Sequence, residues 1–253
     1  MKRLHMLNVA VDTCLMDEAV DAICAFARGE RRSTFADRGC AHVYFFNAHC
    51  GNVSARVPAY KEALDRADLV FPDGSGIKLG GMIQGTPIEA NVNGTDLFPL
   101  LMEALAREGR RVFFVGAKRR VIASLVQSVP KRWPGVELTG WTVGYFDHDS
   151  EVTEAIKSFG ADVVFVAMGV PRQELWIDRC MDSTGAKVAI AVGGLFDFYS
   201  GVMPRAPLWM RRLGVEWLFR LAMEPRRMWK RYILGNFEFM ARVIARRRRG
   251  SKP

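Results

Sequence analysis

Short apolar runs alternate with amphipathic segments through the first two hundred residues. Six runs are rich in Val, Phe and Ile at consecutive positions: His42–Asn47, Asp68–Phe71, Arg111–Val115, Val136–Trp141, Asp162–Ala167 and Lys187–Val192. A strand buried on one face alternates between apolar and polar, and a strand buried on both does not. These runs therefore read as strands of a parallel sheet covered by helices. Between them, helical spacing of apolar positions predicts helices over roughly 16–28, 51–66, 95–108, 118–130, 150–159 and 172–183. The alternation predicts an α/β, Rossmann-like parallel sheet flanked by helices, with right-handed crossovers.

The pattern changes at Arg205. Pro207–Leu221 and Glu224–Arg247 read as two amphipathic helices separated by Pro225, with Trp209, Leu213, Trp217, Trp229, Tyr232 and Phe237 set among arginines. The expected organisation is an α/β domain over 1–204 and a basic amphipathic helical appendage over 205–253.

Charge sharpens this division. The 253 residues carry a net charge of +9, from 36 Lys and Arg against 27 Asp and Glu. From Arg205 onward there are 14 basic and three acidic residues, so the tail holds +11 and the body −2. Such asymmetry points to an anionic partner for the tail, a membrane surface or a nucleic acid. With 49% hydrophobic and 25% charged residues, the chain is an ordinary folded one and not a disordered one. Its five cysteines are odd in number and contain no C-x-x-C pair, as expected of free thiols in a reducing compartment. No apolar stretch near the N-terminus resembles a signal peptide, and the longest apolar run, Val163–Val170, is strand-sized. The expectation is a cytoplasmic protein that does not span a membrane.

Glycines follow several strands: Gly74 and Gly76, Gly116, Gly169, and the pair Gly193-Gly194. In an open α/β sheet the carboxyl edge of the strands is the ligand edge, and helix N-termini there favour phosphate. These positions suit a nucleotide or phosphosugar, and they equally suit tight turns. In Phe71-Pro72-Asp73-Gly74-Ser75-Gly76 an acid stands between a strand end and a glycine-rich turn. Asp73 can serve as a general base or as a cap of the next helix. In Gly169-Val170-Pro171-Arg172-Gln173-Glu174 three polar side chains open a helix, where they meet a ligand or simply suit the helix dipole. Asp147-His148-Asp149 matches a metal-binding D-x-D pattern, but Asp149 also stands before a helix and reads better as its cap. His42, His49 and Cys50 lack a fourth ligand for a zinc site. No Walker A, G-x-S-x-G, H-E-x-x-H or G-x-G-x-x-G spacing occurs.

Taken in order along the chain, these segments resemble the WecG/TagA/CpsF glycosyltransferase family. The resemblance runs through Asn47-Ala48, Ala67-Asp68-Leu69, Pro72-Asp73-Gly74, Gly94-Thr95-Asp96-Leu97, Val115-Gly116 and Gly144-Tyr145-Phe146. It continues through Gly169 with Pro171-Arg172-Gln173-Glu174, Gly193-Gly194 with Phe196-Asp197, Arg205-Ala206-Pro207, Glu216-Trp217-Leu218-Phe219-Arg220, Glu224-Pro225 and Arg231-Tyr232. It implies an inverting transfer of a hexose or N-acetylhexosamine-type sugar from a UDP-sugar to a polyprenyl-diphosphate-linked saccharide, in the synthesis of cell-surface polysaccharide or teichoic acid. Asp73 takes the place of the family's catalytic Asp, with Asn47 beside it. Arg172, Gln173 and Glu174 take the place of its nucleotide-sugar segment, and Arg220, Arg227 and Arg231 that of its appendage arginines. Gly74, Gly94, Asp96, Gly116, Gly169, Gly193, Gly194 and Arg205 fall in matched motifs and are expected at the substrate. Two positions depart from the family pattern: Phe45 stands where Thr is common, and Asn91 where Arg is common. Both changes are expected to remove polar groups near the pocket.

Inverting transfer needs one base and positive charge or N–H donors at the leaving diphosphate. Glycine-rich strand ends and tail arginines supply these, so no metal or organic cofactor is expected. The expected partners are a UDP-sugar, a lipid-linked acceptor and an anionic membrane reached from the inner face of the plasma membrane, with a homo-oligomer closed through the tail as another use of its apolar face. A nucleic-acid-binding protein would explain the charge but neither Asp73 nor the glycines. An NAD(P)-dependent oxidoreductase would need a dinucleotide fingerprint that is missing.

Overall fold

A computed structural model describes residues 1–88 and 90–250, without the side chains of 249 and 250. Lys252, counted in the basic tail, lies outside the described residues, as does the side chain of Arg249. Two strands, β1 (Lys2–Met6) and β2 (Val9–Thr13), form an antiparallel hairpin. The remaining six form one sheet: β3 (Ala41–Phe46), β4 (Leu69–Pro72), β5 (Arg111–Gly116), β6 (Glu137–Thr142), β7 (Val163–Ala167) and β8 (Val188–Ala191). Their order across the sheet is β4-β3-β8-β7-β5-β6, and every pairing is parallel.

All six expected strands are present, within one or two residues of their expected bounds. β3, β4, β7 and β8 are buried at every position, which is why their sequences do not alternate. One face packs on helices Met16–Arg28, Gly94–Arg107 and Arg119–Arg132, centred on Phe98, Phe114 and Phe165. The other face packs on helices Pro58–Asp65, Asp149–Ser158 and Arg172–Cys180.

Three differences from the expected elements have local causes. The helix expected over 51–66 is two, Ala48–Ser54 and Pro58–Asp65, because Pro58 suits only a helix start. Helix Ser75–Gln84 contains Gly76, Gly80 and Gly81 and has little intrinsic propensity. Its backbone is there to be approached closely. A Cβ on Gly80 would lie 3.1 Å from the Phe239 ring, and one on Gly51 only 2.7 Å from it. The two glycines thus form a slot for Phe239. In the tail, Gly214 (φ 72°) separates Leu208–Arg212 from Glu216–Met223. Beyond Glu224 the chain runs through Pro225–Trp229, a π-helical turn Lys230–Leu234, and helix Gly235–Gly250.

The tail is not a loose extension. Phe239, Val243 and Met228 are fully buried, the first two in the same cluster as Met6, Tyr44 and Phe46. Other tail residues face outward: Trp209 is 60% exposed, Leu213 70% and Phe237 74%. No described helix is long and apolar enough to cross a membrane.

Candidate active site

Because the sheet is parallel, its strands all end on one edge, and the motifs that follow them gather there. Phe46 pairs with Pro72 across β3 and β4, so the next residues, Asn47 and Asp73, emerge side by side. Asn47 Nδ2 donates to Asp73 Oδ2 at 3.2 Å. Asn47 Oδ1 accepts from the Cys50 backbone N–H at 3.1 Å, so the same side chain caps helix Ala48–Ser54. Asp73 itself caps nothing: the N-cap of helix Ser75–Gln84 is Gly74, with φ 91°, and no side chain caps that helix. The capping alternative for Asp73 is therefore not what the fold uses.

Asp73 lies in a cleft enclosing about 190 Å³. One wall is the strand edge, with Asn47, His49, Gly74, Asn91 and Thr95. The other comes from the tail, with Glu216, Trp217, Arg220, Arg231 and Tyr232. Burial raises the Asp73 carboxyl above its ordinary value, opposed by the Asn47 hydrogen bond and by the charges of Arg231 and Arg220. Burial also raises Glu216 on the facing wall.

The two arginines are unusual. Nε and Nη2 of Arg220 and Nε of Arg231 are buried without a hydrogen-bond partner, and neither guanidinium forms an ion pair among the described residues. Arg220 lies over the Phe198 ring at 5.0 Å and directly above Gly194, where a Cβ would meet its Nη2 at 2.7 Å. Gly194 is thus required by the arginine, which stands where a ligand was expected to approach the backbone.

Several expected residues build the edge without lining the cleft. Gln173 Oε1 accepts the N–H of Gly169 at 3.1 Å and of Gly193 at 2.9 Å, tying the loops after β7 and β8 together. Gln173 Nε2 donates to Glu174 Oε1 at 2.8 Å, and both side chains are buried. Gly116 packs against the Ala167 backbone. Gly94 opens helix Gly94–Arg107 against the Phe45 ring. Asp96 accepts from Asn93 at 2.7 Å and from Arg205 at 2.6 Å. Burial pulls Asp96 upward, but these two hydrogen bonds and the charges of Arg205 and Arg211 hold it below its ordinary value. Arg172 points away from the cleft, over the rings of Tyr145 and Phe146, both at 5.7 Å. Arg227 lines a neighbouring groove and pairs with Glu224 at 3.1 Å.

The two departures resolve differently. Phe45 is 8% exposed and packs on Phe71 and Gly94, an apolar replacement. Asn91 keeps a polar role, because its Oδ1 accepts the Gly74 N–H at 2.7 Å and fixes the turn after Asp73. Asp149 starts helix Asp149–Ser158 but its carboxylate does not cap it. It accepts from Trp176 Nε1 at 2.9 Å and Arg179 Nη2 at 2.6 Å instead. His49, Asn93 and Asn236 line the cleft but belong to none of the matched motifs, whereas Thr95 and Glu216 lie within them without having been singled out. Only the pairing of the tail with the strand edge brings them together.

The model of the glycosyl transferase WecG/TagA/CpsF family matches residues 4–253. The chain belongs to this family. It is accordingly a glycosyltransferase. Among curated proteins it is 34% identical, over 84% of its length and 82% of theirs, to an N-acetylglucosaminyldiphosphoundecaprenol N-acetyl-beta-D-mannosaminyltransferase of Bacillus spizizenii. A protein of the same description from Bacillus subtilis is 33% identical over 69% of this chain and 68% of that one. One from Staphylococcus aureus is 27% identical over 90% and 86%.

Proposed function

We propose that this glycosyltransferase moves a hexose or N-acetylhexosamine-type sugar from UDP to a saccharide carried on a polyprenyl diphosphate, forming a β linkage with inversion. The observation that carries the reading is a carboxylate facing two unpaired guanidiniums across one cleft. The named activity of the relatives supplies the acceptor class.

Each group has a role in one displacement. Asp73 takes the proton of the acceptor hydroxyl as its oxygen bonds to the anomeric carbon of the donor. The bond from that carbon to the UDP oxygen breaks, and its electron pair leaves with the diphosphate. Arg220 neutralises the charge that develops there, with Arg231 at the far end of the cleft. Burial strengthens both contributions, raising the basicity of Asp73 and lowering the screening of the arginines. Asn47 fixes the carboxylate. UDP is expected to raise the melting temperature selectively over GDP, CDP and NAD, and to do so in EDTA. A preference for NAD would overturn the reading.

The acceptor class requires the protein to work at a bilayer, on the cytoplasmic face of the plasma membrane. Trp209, Leu213 and Phe237 are exposed beside the basic residues of the tail and suit an anionic interface. Truncation at Arg205 would uncover the slot of Phe239, so surface substitutions are the better test. Replacing Trp209, Leu213 and Phe237 together by Ser is expected to abolish flotation with phosphatidylglycerol vesicles and leave the melting temperature nearly unchanged. Undiminished flotation would contradict this use of the tail. Loss of self-association in place of flotation would assign the same residues to an oligomer.

A further inference from the structure

We infer that the groove beside the Asp73 cleft binds the diphosphate of the acceptor, with its prenyl chain leaving over Leu234. The inference rests on the transferase reading above and assigns a subsite within it.

The groove runs between helix Ala48–Ser54 and the tail, and encloses about 480 Å³. It is continuous with the cleft, because His49 and Arg231 line both. The cleft alone is small, about 190 Å³, against the ~300–1,000 Å³ typical of small-molecule sites. The groove adjoins it through His49 and Arg231 and offers the space for a second diphosphate.

Its charge fits that occupant. Arg56, Arg227, Lys230 and Arg231 line it against one acid, Glu238. Glu238 is engaged by Arg56 and by Arg242, the latter at 2.7 Å. Lys230 and Arg231 form no ion pair among the described residues, and the buried Nε of Arg231 has no partner. Arg227, Arg231, Leu234 and Glu238, spaced by four, three and four residues, all line the groove. His49 stands where groove and cleft meet. Burial first, then the charges of Arg231 and Arg56, lower it to about 4, so it is neutral at pH 7 and offers an N–H without adding charge.

The cationic groups thus fall into two sets. Arg220 lies in the cleft, above Gly194. Arg56 and Lys230 line the groove, and Arg231 stands at its junction with the cleft. Two sets supply one seat for each diphosphate. The acceptor end also carries its lipid, and Trp229, Ile233, Leu234 and Phe237 are exposed along the same stretch of tail.

The test uses the full-length protein and two acceptors: N-acetylglucosamine on a short prenyl diphosphate, and an octyl glycoside of N-acetylglucosamine without diphosphate. Arg56 and Lys230 are exposed, so Arg56→Ala/Lys230→Ala is expected to fold normally, which its melting curve checks. The double variant is expected to raise KM for the diphosphate acceptor about tenfold or more, the worth of one or two charge-assisted contacts. The affinity for UDP, read by calorimetry, and the kinetics on the octyl glycoside are expected to stay within about twofold. Arg56→Lys/Lys230→Arg is expected to restore the KM. An unchanged acceptor KM would overturn the assignment, and so would an equal loss of UDP affinity, which would give the groove to the donor. Failure of the unmodified protein to use either acceptor would overturn the acceptor class proposed above, and the assignment of the groove with it.

Discussion

Asp73→Asn is expected to lower kcat by about 10²–10⁴-fold while leaving UDP affinity nearly intact, because general-base assistance is worth that much and the substitution keeps the shape of the side chain. β3 and β4 place Asn47 and Asp73 together, and the Asn47 amide restrains one carboxylate oxygen. The other oxygen is outside that bond and available to a hydroxyl. Burial makes Asp73 a stronger base than a surface carboxylate, opposed by the Asn47 hydrogen bond and the charges of Arg231 and Arg220. Asparagine retains the volume and the contact with Asn47 but cannot take a proton. Asn47→Ala is expected to fall between the two, since it loosens the carboxylate without removing it. A transfer assay with saturating donor measures both. Turnover of Asp73→Asn near that of the unmodified protein would remove Asp73 from the chemistry.

Gln173→Leu is expected to destabilise the fold by about 2–4 kcal/mol, because two partly buried N–H groups lose their acceptor and a buried carboxyl loses its donor. The N–H groups are those of Gly169 and Gly193, and the carboxylate is Glu174. Leucine is no smaller than glutamine, so cavity formation is not the cause. Urea unfolding reads the loss. Its neighbour makes the stability depend on pH. Burial raises Glu174 to about 7, against an ordinary 4.5 in the unfolded chain. Between those values the folded protein keeps a proton that the unfolded chain has released. Stability from this group is therefore fully present below about pH 4.5 and falls as pH rises to about 7, by roughly 3 kcal/mol. Glu174→Gln keeps the bond to Gln173 and is expected to remove this fall. The variant would then gain on the unmodified protein between pH 5 and pH 8. A constant difference across that range would show that Glu174 does not titrate there.

The strands of the main sheet were legible because burial on both faces leaves uninterrupted apolar runs. The hairpin β1–β2 was not read from the sequence. Lys2, Arg3 and His5 are polar, and what holds the hairpin is tertiary: Arg3 and Asp12 form an ion pair at 2.8 Å, and Asp12 accepts the Val70 N–H at 2.9 Å. Helix Ser75–Gln84 is concealed by its glycines, of which Gly80 is explained only by Phe239 packed against it. At the site, Asp73 and Asn47 were legible because both follow strand ends. Gln173 and Glu174 carry the family signature, and in the fold both are buried, Gln173 hydrogen-bonded to the two glycine loops and to Glu174. The second wall of the cleft comes from residues more than a hundred positions away, and local spacing cannot predict which of the tail arginines turn inward.

The most direct measurement is transfer by the unmodified protein from UDP-sugars, UDP-N-acetylmannosamine first, to N-acetylglucosamine on a short prenyl diphosphate, with the anomeric configuration of the product read by NMR. A β-linked product from an α-linked donor, lost in Asp73→Asn, is the predicted result. An α-linked product, or a β-linked one formed equally well by Asp73→Asn, would contradict single displacement with Asp73 as the base.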